Sequence, residues 1–241
     1  RRYELIPNLV GSAVDPTVRE GEPDYETVRA RVTGPGMVGL PACPLMHGTG
    51  CFTQLIVLSQ GGSVVTLESR SLDVPELLDT IEREGVNLIA IVGDAFAKPI
   101  NRALGAEPDR WDLSSLVAIT SSGVMFSEPV KQELLGRVPG ALILDAFSSS
   151  EAVGMGQSIS SAGAEAKTAK FSVGENTRVL DDDLRDVEPG SGQTGRVAVG
   201  GFQPIGYYKD PDKSAATFVE VDGRRYSIPG DFAQVEADGS I

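Results

Sequence analysis

The feature that most constrains the fold is a short, almost uninterrupted apolar segment at residues 86–92, with the sequence VNLIAIV. A strand that is apolar on both faces is typical of a parallel sheet covered by helices on both sides. The preceding residues have helical periodicity, and Asp73 and Gly85 are placed to cap the two ends of that helix. We therefore predict a buried parallel strand within a series of alternating helices and strands.

The same alternation extends over residues 41–169, which we interpret as one α/β subdomain. Strands alternating with amphipathic helices predict a mostly parallel sheet flanked by helices. Further strands are predicted at 63–67, 116–120 and 141–144, and further helices at 47–60, at 94–104 with an interruption at Pro99, and after a cap at Ser127.

The two ends of the chain have a different character. Residues 170–241 contain short strand candidates at 178–180, 195–199 and 217–221, and Asp222-Gly223 is a hairpin turn signal, so we predict a small antiparallel β subdomain there. Residues 1–40 are predicted to be a partly irregular leading segment with one helix at 25–32.

Composition excludes several classes of protein. The 241 residues are 41% hydrophobic, which can supply a core, but carry a net charge of −13 and no basic stripe, which argues against nucleic-acid binding. Two cysteines are too few for a disulfide framework in a chain of this size. No apolar run approaches a membrane span and no secretory signal follows Arg1-Arg2, so we expect a cytoplasmic protein.

Small polar residues follow two of the predicted strands. Asp145 and the segment Phe147-Ser-Ser-Ser-Glu151 come after one strand, and Ser121-Ser122-Gly123 comes after another. Ligands of open parallel sheets bind beyond the carboxyl ends of the strands, so two such loops would form a nucleotide pocket. Taken alone, the serine run is more typical of a solvated loop that caps a helix.

Two further segments change that interpretation. Residues 44–50 (PLMHGTG), 144–154 (LDAFSSSEAVG) and 226–231 (YSIPGD) resemble, in this order, three core motifs of the acyl-adenylate-forming enzymes. That superfamily contains acyl-CoA synthetases, luciferases and peptide-synthetase adenylation domains. Residues 205–211 resemble its Gly-Tyr-x-x-x-Pro segment. The residues within the motifs are similar to those of bacterial fatty-acyl-CoA ligases.

The resemblance implies a nucleotide site in which Phe147 stacks on adenine, Asp145 lies near the exocyclic amine and Asp231 accepts hydrogen bonds from the ribose hydroxyls. An aromatic face suits a purine, and a carboxylate accepts without competing as a donor. The implied nucleotide-binding residues are Ser122, Gly123, Val124, Asp145, Ala146, Phe147 and Asp231.

The resemblance also implies a catalytic pair and an acyl pocket. Ser150 would contact the phosphate, and Glu151 would hold Mg²⁺, a hard cation that prefers carboxylate and phosphate oxygens. His47 and Gly48 would line the carboxylate end of the acyl pocket. The implied reaction joins a carboxylic acid, from its similarity a fatty acid, to AMP from ATP with loss of pyrophosphate, and coenzyme A then takes the acyl group.

Several family features differ or do not occur in this sequence. Phe147 stands where tyrosine is usual, Ser148 where glycine is usual, and Pro229 where threonine is usual. The chain contains neither the phosphate loop that ends in Pro-Lys-Gly nor the C-terminal domain with its lysine. We therefore expect the central part of an acyl-CoA ligase, ending before the hinge, that is inactive when isolated.

Other interpretations of these residues and of the chain are open. Cys43, His47 and Cys51 recur every four residues, but Pro44 and the glycines at 48 and 50 interrupt a helix there and zinc usually takes four ligands, so we predict that these three residues do not bind a metal. A lone histidine near a helix start is more often a packed or capping residue than a catalyst. The parent protein could instead load a carrier protein, or the chain could be a non-catalytic nucleotide-binding or interaction module.

Overall fold

The computed structural model describes residues 34–164, 168, 170–201 and 203–241, so the helix predicted at 25–32 lies outside the described residues. The described chain forms two compact units. The N-terminal unit contains 34–145, 159–164 and 168, and the C-terminal unit contains 146–158, 170–201 and 203–241. The domain boundaries inferred from sequence at residues 40 and 169 stay a prediction.

The first sheet has six strands in the order β2-β1-β3-β4-β5-β6, and the pairs β1–β2, β1–β3 and β3–β4 are parallel. The predicted α/β class with a mostly parallel sheet is confirmed. The chain passes from the N-terminal to the C-terminal unit after Asp145, within β5. The strands are β1 Val38–Pro41, β2 Ser63–Val64, β3 Leu88–Ile91, β4 Ala118–Ser122, β5 Leu142–Phe147 and β6 Gly156–Ser160.

The helices of the N-terminal unit alternate with these strands and bury one face each. The Asp73 carboxylate accepts a hydrogen bond from the Glu76 N–H at 3.0 Å, and Gly85 ends the same helix with φ of 61°, as the sequence predicted. Ile89, Ile91 and other apolar residues of the central strands form the main core with the helices. The helices are α1 Gly48–Ser59, α2 Val74–Glu84, α3 Gly93–Ala106 and α4 Glu128–Arg137.

Several predicted boundaries were wrong. Helix α3 continues through Pro99, because Ile100, Asn101 and Leu104 are buried and this packing outweighs the hydrogen bond that proline removes. The strand predicted at 63–67 shortens to two residues. Strand β4 continues to Ser122, and β1 begins inside the segment predicted to be partly irregular. Both strands are extended by parallel pairing with neighbouring strands, a long-range interaction that local sequence patterns do not encode.

The C-terminal unit contains an antiparallel sheet of order β11-β8-β10-β9, with β7 also paired to β8. The predicted turn at Asp222-Gly223 joins β9 to β10. Strand β10 was not predicted, and it contains Tyr226 and Ser227 of the third motif. The elements are β7 Thr177–Leu180, β8 Thr194–Val199, α5 Pro211–Thr217, β9 Phe218–Val221, β10 Arg224–Ser227 and β11 Phe232–Gln234.

Candidate functional site

The residues that the motifs single out are distributed over both units of the chain. The N-terminal unit contains His47, Gly48, Ser122, Gly123, Val124 and Asp145, and the C-terminal unit contains Ala146, Phe147, Ser150, Glu151 and Asp231.

The loop that follows β4 presents backbone and one apolar side chain to solvent. Ser122 is the last residue of the strand, and Gly123 has φ of 94°, a conformation that favours glycine. Val124 is exposed, whereas Ser121 is buried and its Oγ accepts a hydrogen bond from the Gly93 N–H at 2.9 Å. The loop is therefore anchored at Ser121 and exposed at Val124, which leaves its surface accessible to a flat ligand.

Asp94, which the sequence did not single out, anchors the C-terminal end of this loop by hydrogen bonds. The Ser127 N–H donates to Asp94 Oδ1 at 2.9 Å, and the Ser127 hydroxyl donates to both carboxylate oxygens at 3.0 and 2.9 Å. The Asp94 N–H donates to the carbonyl of Met125 at 3.1 Å. Ser127 precedes α4 as predicted, but its hydroxyl does not cap that helix, because the Asp94 carboxylate takes it.

We expect Asp94→Ala to lower the free energy of unfolding by about 2 kcal/mol at neutral pH, since hydrogen bonds to a charged group are lost. Burial raises the pKa of Asp94, but the bonds from Ser127 and the nearby Lys98 ammonium outweigh it and hold the pKa below its usual value. This stabilisation is therefore present above the ordinary aspartate pKa and is lost as pH falls through the lowered pKa.

Urea unfolding at neutral pH and at about pH 3 tests this expectation, because the difference between wild type and Asp94→Ala should shrink on acidification. Asp94→Asn is the matched variant: it keeps an acceptor for the Ser127 N–H and should lose less stability. An equal loss at both pH values would contradict the role of the charge.

Asp145, at the carboxyl end of β5 within the N-terminal unit, is a buried carboxylate. Its Oδ2 lies 2.7 Å from Lys131 Nζ, and the two side chains are 6% and 0% exposed. Burial raises the pKa of Asp145, and the hydrogen bond and charge of Lys131 offset part of that rise. Lys131 was missed, although its position in the buried face of α4 beside Leu134 and Leu135 is the signal for a paired charge.

The two acyl-pocket candidates lie where α1 begins. His47 occupies the N-cap position, but its side chain makes no capping hydrogen bond and is exposed. A Cβ on Gly48 would lie 3.3 Å from the Phe52 ring, and one on Gly50 would lie 2.9 Å from the Pro44 carbonyl oxygen. The start of the helix is thus closely packed beside an exposed imidazole. Among the described residues, no three His, Cys, Asp or Glu side chains are grouped to hold a metal ion.

In the C-terminal unit, the serine run forms a turn fixed by its own hydroxyls. Ser149 Oγ accepts from the N–H groups of Glu151 and Ala152 at 3.2 and 3.0 Å, and Ser148 Oγ accepts from the Gly154 N–H at 2.7 Å. The Ser150 side chain is exposed. The turn therefore presents Ser150 outward and defines where the Glu151 side chain begins.

Phe147 follows Ala146 and is the last residue of β5. The sequence did not indicate which side chain packs against its ring. The ring stacks on Phe171, with ring centroids 5.4 Å apart and planes at 29°. An aromatic pair of this kind is worth about 1 kcal/mol beyond its buried area. Phe171 thus supports one face of the ring that the motif assigns to adenine.

Glu151 borders a cavity of about 360 Å³ that lies within the C-terminal unit. Its Oε1 accepts a hydrogen bond from the Tyr207 hydroxyl at 2.8 Å. Burial, and next the bond to Glu151, raise the pKa of Tyr207, so the phenol is a donor at neutral pH. The cavity is lined by Ser150, Glu151, Pro204, Ile205, Gly206, Tyr207, Tyr208 and Phe218.

Asp231 precedes β11, and its main-chain carbonyl accepts from the Val197 N–H at 2.9 Å. Burial raises the pKa of the Asp231 carboxyl, and the negative charge of Glu151 raises it further. A partly buried carboxyl whose charge is disfavoured by a neighbouring carboxylate is typical of a site that binds a cation or hydrogen-bond donors.

The described part of the chain contains no helix that is both long and apolar enough to cross a bilayer. Residues 24–208 match the family described as AMP-binding enzyme. The chain belongs to the AMP-binding enzyme family. The membership that the three motifs predicted is confirmed.

Curated relatives of this AMP-binding chain include two bacterial CoA ligases. It is 39% identical over 242 residues to the medium/long-chain-fatty-acid–CoA/3-oxocholest-4-en-26-oate–CoA ligase of Mycobacterium tuberculosis. It is 38% identical over 248 residues to the 3-oxocholest-4-en-26-oate–CoA ligase of Rhodococcus rhodochrous. Both alignments cover 100% of this chain, which spans 44% of each relative's length.

Among solved structures, the nonribosomal peptide synthetase FmoA3 in its AMPPNP-bound form is similar in fold. The TM-score is 0.73 at 21% sequence identity, over 88% of this chain and 24% of that one. At this identity the likeness shows only that the chain shares the fold of the matched part of that synthetase.

Proposed function

We propose that the chain is the central part of an AMP-forming acyl-CoA ligase that activates a fatty acid with ATP and transfers it to coenzyme A. The observation that carries the proposal lies in the C-terminal unit, where the serine turn with Glu151 occurs together with the supported ring of Phe147 and the carboxylate of Asp231. The similarity to CoA ligases over the whole chain supports the choice of acceptor.

The residues present suit Mg²⁺. This cation is usually bound by one or two carboxylates together with substrate phosphates, so a single Glu151 beside an exposed Ser150 meets the need. Burial is the main cause of the raised pKa of Asp231, and the smaller contribution from the charge of Glu151 supports a cation near these carboxylates. When bound, Mg²⁺ would neutralise charge on the phosphates of ATP.

The residues of this chain would bind and orient the substrates. Phe147 would stack on adenine, with Ala146 beside it, and Asp231 would accept from the ribose hydroxyls. Ser150 would donate a hydrogen bond to a phosphate oxygen. In the N-terminal unit, we assign the Ser122–Val124 loop and Asp145 to the base, and His47 and Gly48 to the carboxylate end of the acid.

A non-hydrolysable acyl-adenylate analogue, titrated calorimetrically into the chain, tests this proposal. We expect Asp231→Ala to weaken binding by about tenfold to a hundredfold, because hydrogen bonds to a charged acceptor are lost. Phe147→Ala should weaken it by a similar factor, because it removes a stacking surface worth about 1–3 kcal/mol per base.

Asp182→Ala is the matched control, since Asp182 is an exposed carboxylate of the same unit and lies outside the three motifs. It should leave the affinity unchanged. Unchanged affinity in both Asp231→Ala and Phe147→Ala would reject the adenylate site.

Loading of a carrier protein is less well supported, since likeness to peptide-synthetase domains extends to fold only, whereas the similar curated relatives are named CoA ligases. A non-catalytic role would be favoured if the analogue failed to bind. The cytoplasmic location stays a prediction of the sequence.

A further inference from the structure

The hydrogen bond between Tyr207 and Glu151 joins two residues that are 56 positions apart, and its role is not explained by nucleotide contact alone. Glu151 is the residue that the proposed function assigns to Mg²⁺. Tyr207 lies in the segment 204–208, which lines the same cavity.

Tyr207 is itself held in place from several sides. Its N–H donates to Ser214 Oγ at 2.7 Å, and the Ser214 hydroxyl donates to the Asp210 carbonyl at 2.6 Å. The Lys213 ammonium lies 4.2 Å from the centroid of the Tyr207 ring, and the Phe218 ring centroid lies 5.9 Å away. Helix α5 and the start of β9 therefore define the position of the phenol oxygen.

The main chain of Glu151 is anchored by its N–H, which donates to Ser149 Oγ at 3.2 Å. A glutamate side chain has several rotatable bonds, so an anchored backbone does not orient the carboxylate. The bond from Tyr207 supplies that orientation. It uses one of about four acceptor positions of the carboxylate, which leaves capacity for a ligand.

We propose that Tyr207 is a positioning residue that orients the Glu151 carboxylate to receive a divalent cation bound with the phosphates of ATP. This inference rests on the proposed function. Partners of this kind, which hydrogen-bond a metal ligand, affect metal affinity by about tenfold to a hundredfold.

The neighbouring Tyr208 offers a matched control. It lines the same cavity, but its side chain is 88% exposed, and the Lys209 ammonium lies 5.3 Å from its ring centroid. Tyr207→Phe and Tyr208→Phe each remove one hydroxyl and keep the ring. Only Tyr207→Phe removes a bond to Glu151.

The experiment measures the dissociation constant of a non-hydrolysable ATP analogue at saturating Mg²⁺ and in EDTA, for the chain and each variant. The ratio of the two constants is the gain in affinity due to Mg²⁺. We expect Tyr207→Phe to reduce this gain by about tenfold and Tyr208→Phe to leave it unchanged. The acyl-adenylate analogue, which needs no metal, should bind both variants as it binds the unmutated chain.

Glu151→Gln separates the two proposals. If the unmutated chain shows no gain, or Glu151→Gln keeps the full gain, the assignment of Glu151 is wrong and this inference falls with it. If Glu151→Gln loses the gain and Tyr207→Phe keeps it, only the positioning role is wrong. A lower Tm together with weaker binding of the acyl-adenylate analogue in Tyr207→Phe would show a structural role and would also overturn the inference.

Discussion

Replacing Lys131 by methionine should lower the free energy of unfolding of the N-terminal unit by about 3–5 kcal/mol at neutral pH. Methionine keeps the length of the side chain in the core but removes the cation that lies 2.7 Å from Asp145 Oδ2. The Asp145 carboxylate would then be buried without a compensating charge. This penalty, and not the loss of packing, dominates the expected effect.

Urea unfolding followed by the fluorescence of Trp111 measures this loss, because Trp111 is the one tryptophan of the chain and is only 8% exposed in the N-terminal unit. The variant Asp145→Leu combined with Lys131→Met should recover most of the stability, since an apolar pair replaces a broken ion pair. A loss below about 1 kcal/mol in Lys131→Met would show that water reaches the Asp145 carboxylate.

The deficit of Lys131→Met should also depend on pH. Without its cation, Asp145 keeps the pKa rise that burial causes and loses the two contributions from Lys131 that lower it. A carboxyl whose pKa is higher in the folded than in the unfolded state loses stability as pH rises through that interval. The variant should therefore lie closest to wild type in acid and furthest from it at neutral pH.

Gly93→Ala should cost about 3 kcal/mol and displace the loop that follows β4. Gly93 has φ of 45°, which costs an L-residue with a side chain about 1–2 kcal/mol. In addition, a Cβ there would clash with the Met125 carbonyl oxygen and lie 2.8 Å from a methyl of Val124. Overpacking of this kind typically adds about 1–3 kcal/mol.

Gly85→Ala measures the backbone contribution without the overpacking. Gly85 has φ of 61°, but a Cβ there would meet nothing within 4 Å, so only the backbone cost of about 1 kcal/mol applies. Affinity for the acyl-adenylate analogue should fall in Gly93→Ala, where the Ser122–Val124 loop moves, and stay unchanged in Gly85→Ala. Equal losses of stability in the two variants would mean that the clash at Gly93 is relieved elsewhere.

The sequence predicted those features that depend on neighbouring residues. The caps at Asp73 and Gly85 and the apolar run at 86–92 are local signals, and the structure confirms the helix and the strand that they indicate. The motif at 144–154 was sufficient, with its two companions, to predict the family. The contribution of each motif residue to binding stays a prediction until the variants are measured.

The sequence did not predict which residues contact and orient the side chains of the candidate site. Ser127 donates a hydrogen bond to Asp94, which is 33 positions away, and Tyr207 donates one to Glu151, which is 56 positions away. No periodic sequence pattern connects residues that are so far apart. The partner of Lys131 was likewise not predicted, and it is packing in the core that places its ammonium 2.7 Å from Asp145 Oδ2.

The sequence by itself therefore determined the α/β class, the parallel sheet and the family, because hydrophobic periodicity, turn residues and short motifs are local. Only the tertiary structure decided that Lys131 is buried with Asp145, that Tyr207 hydrogen-bonds the Glu151 carboxylate and that Asp94 anchors the loop after β4. Those properties depend on the path of the chain through the core, where long-range packing sets both the distances and the local dielectric.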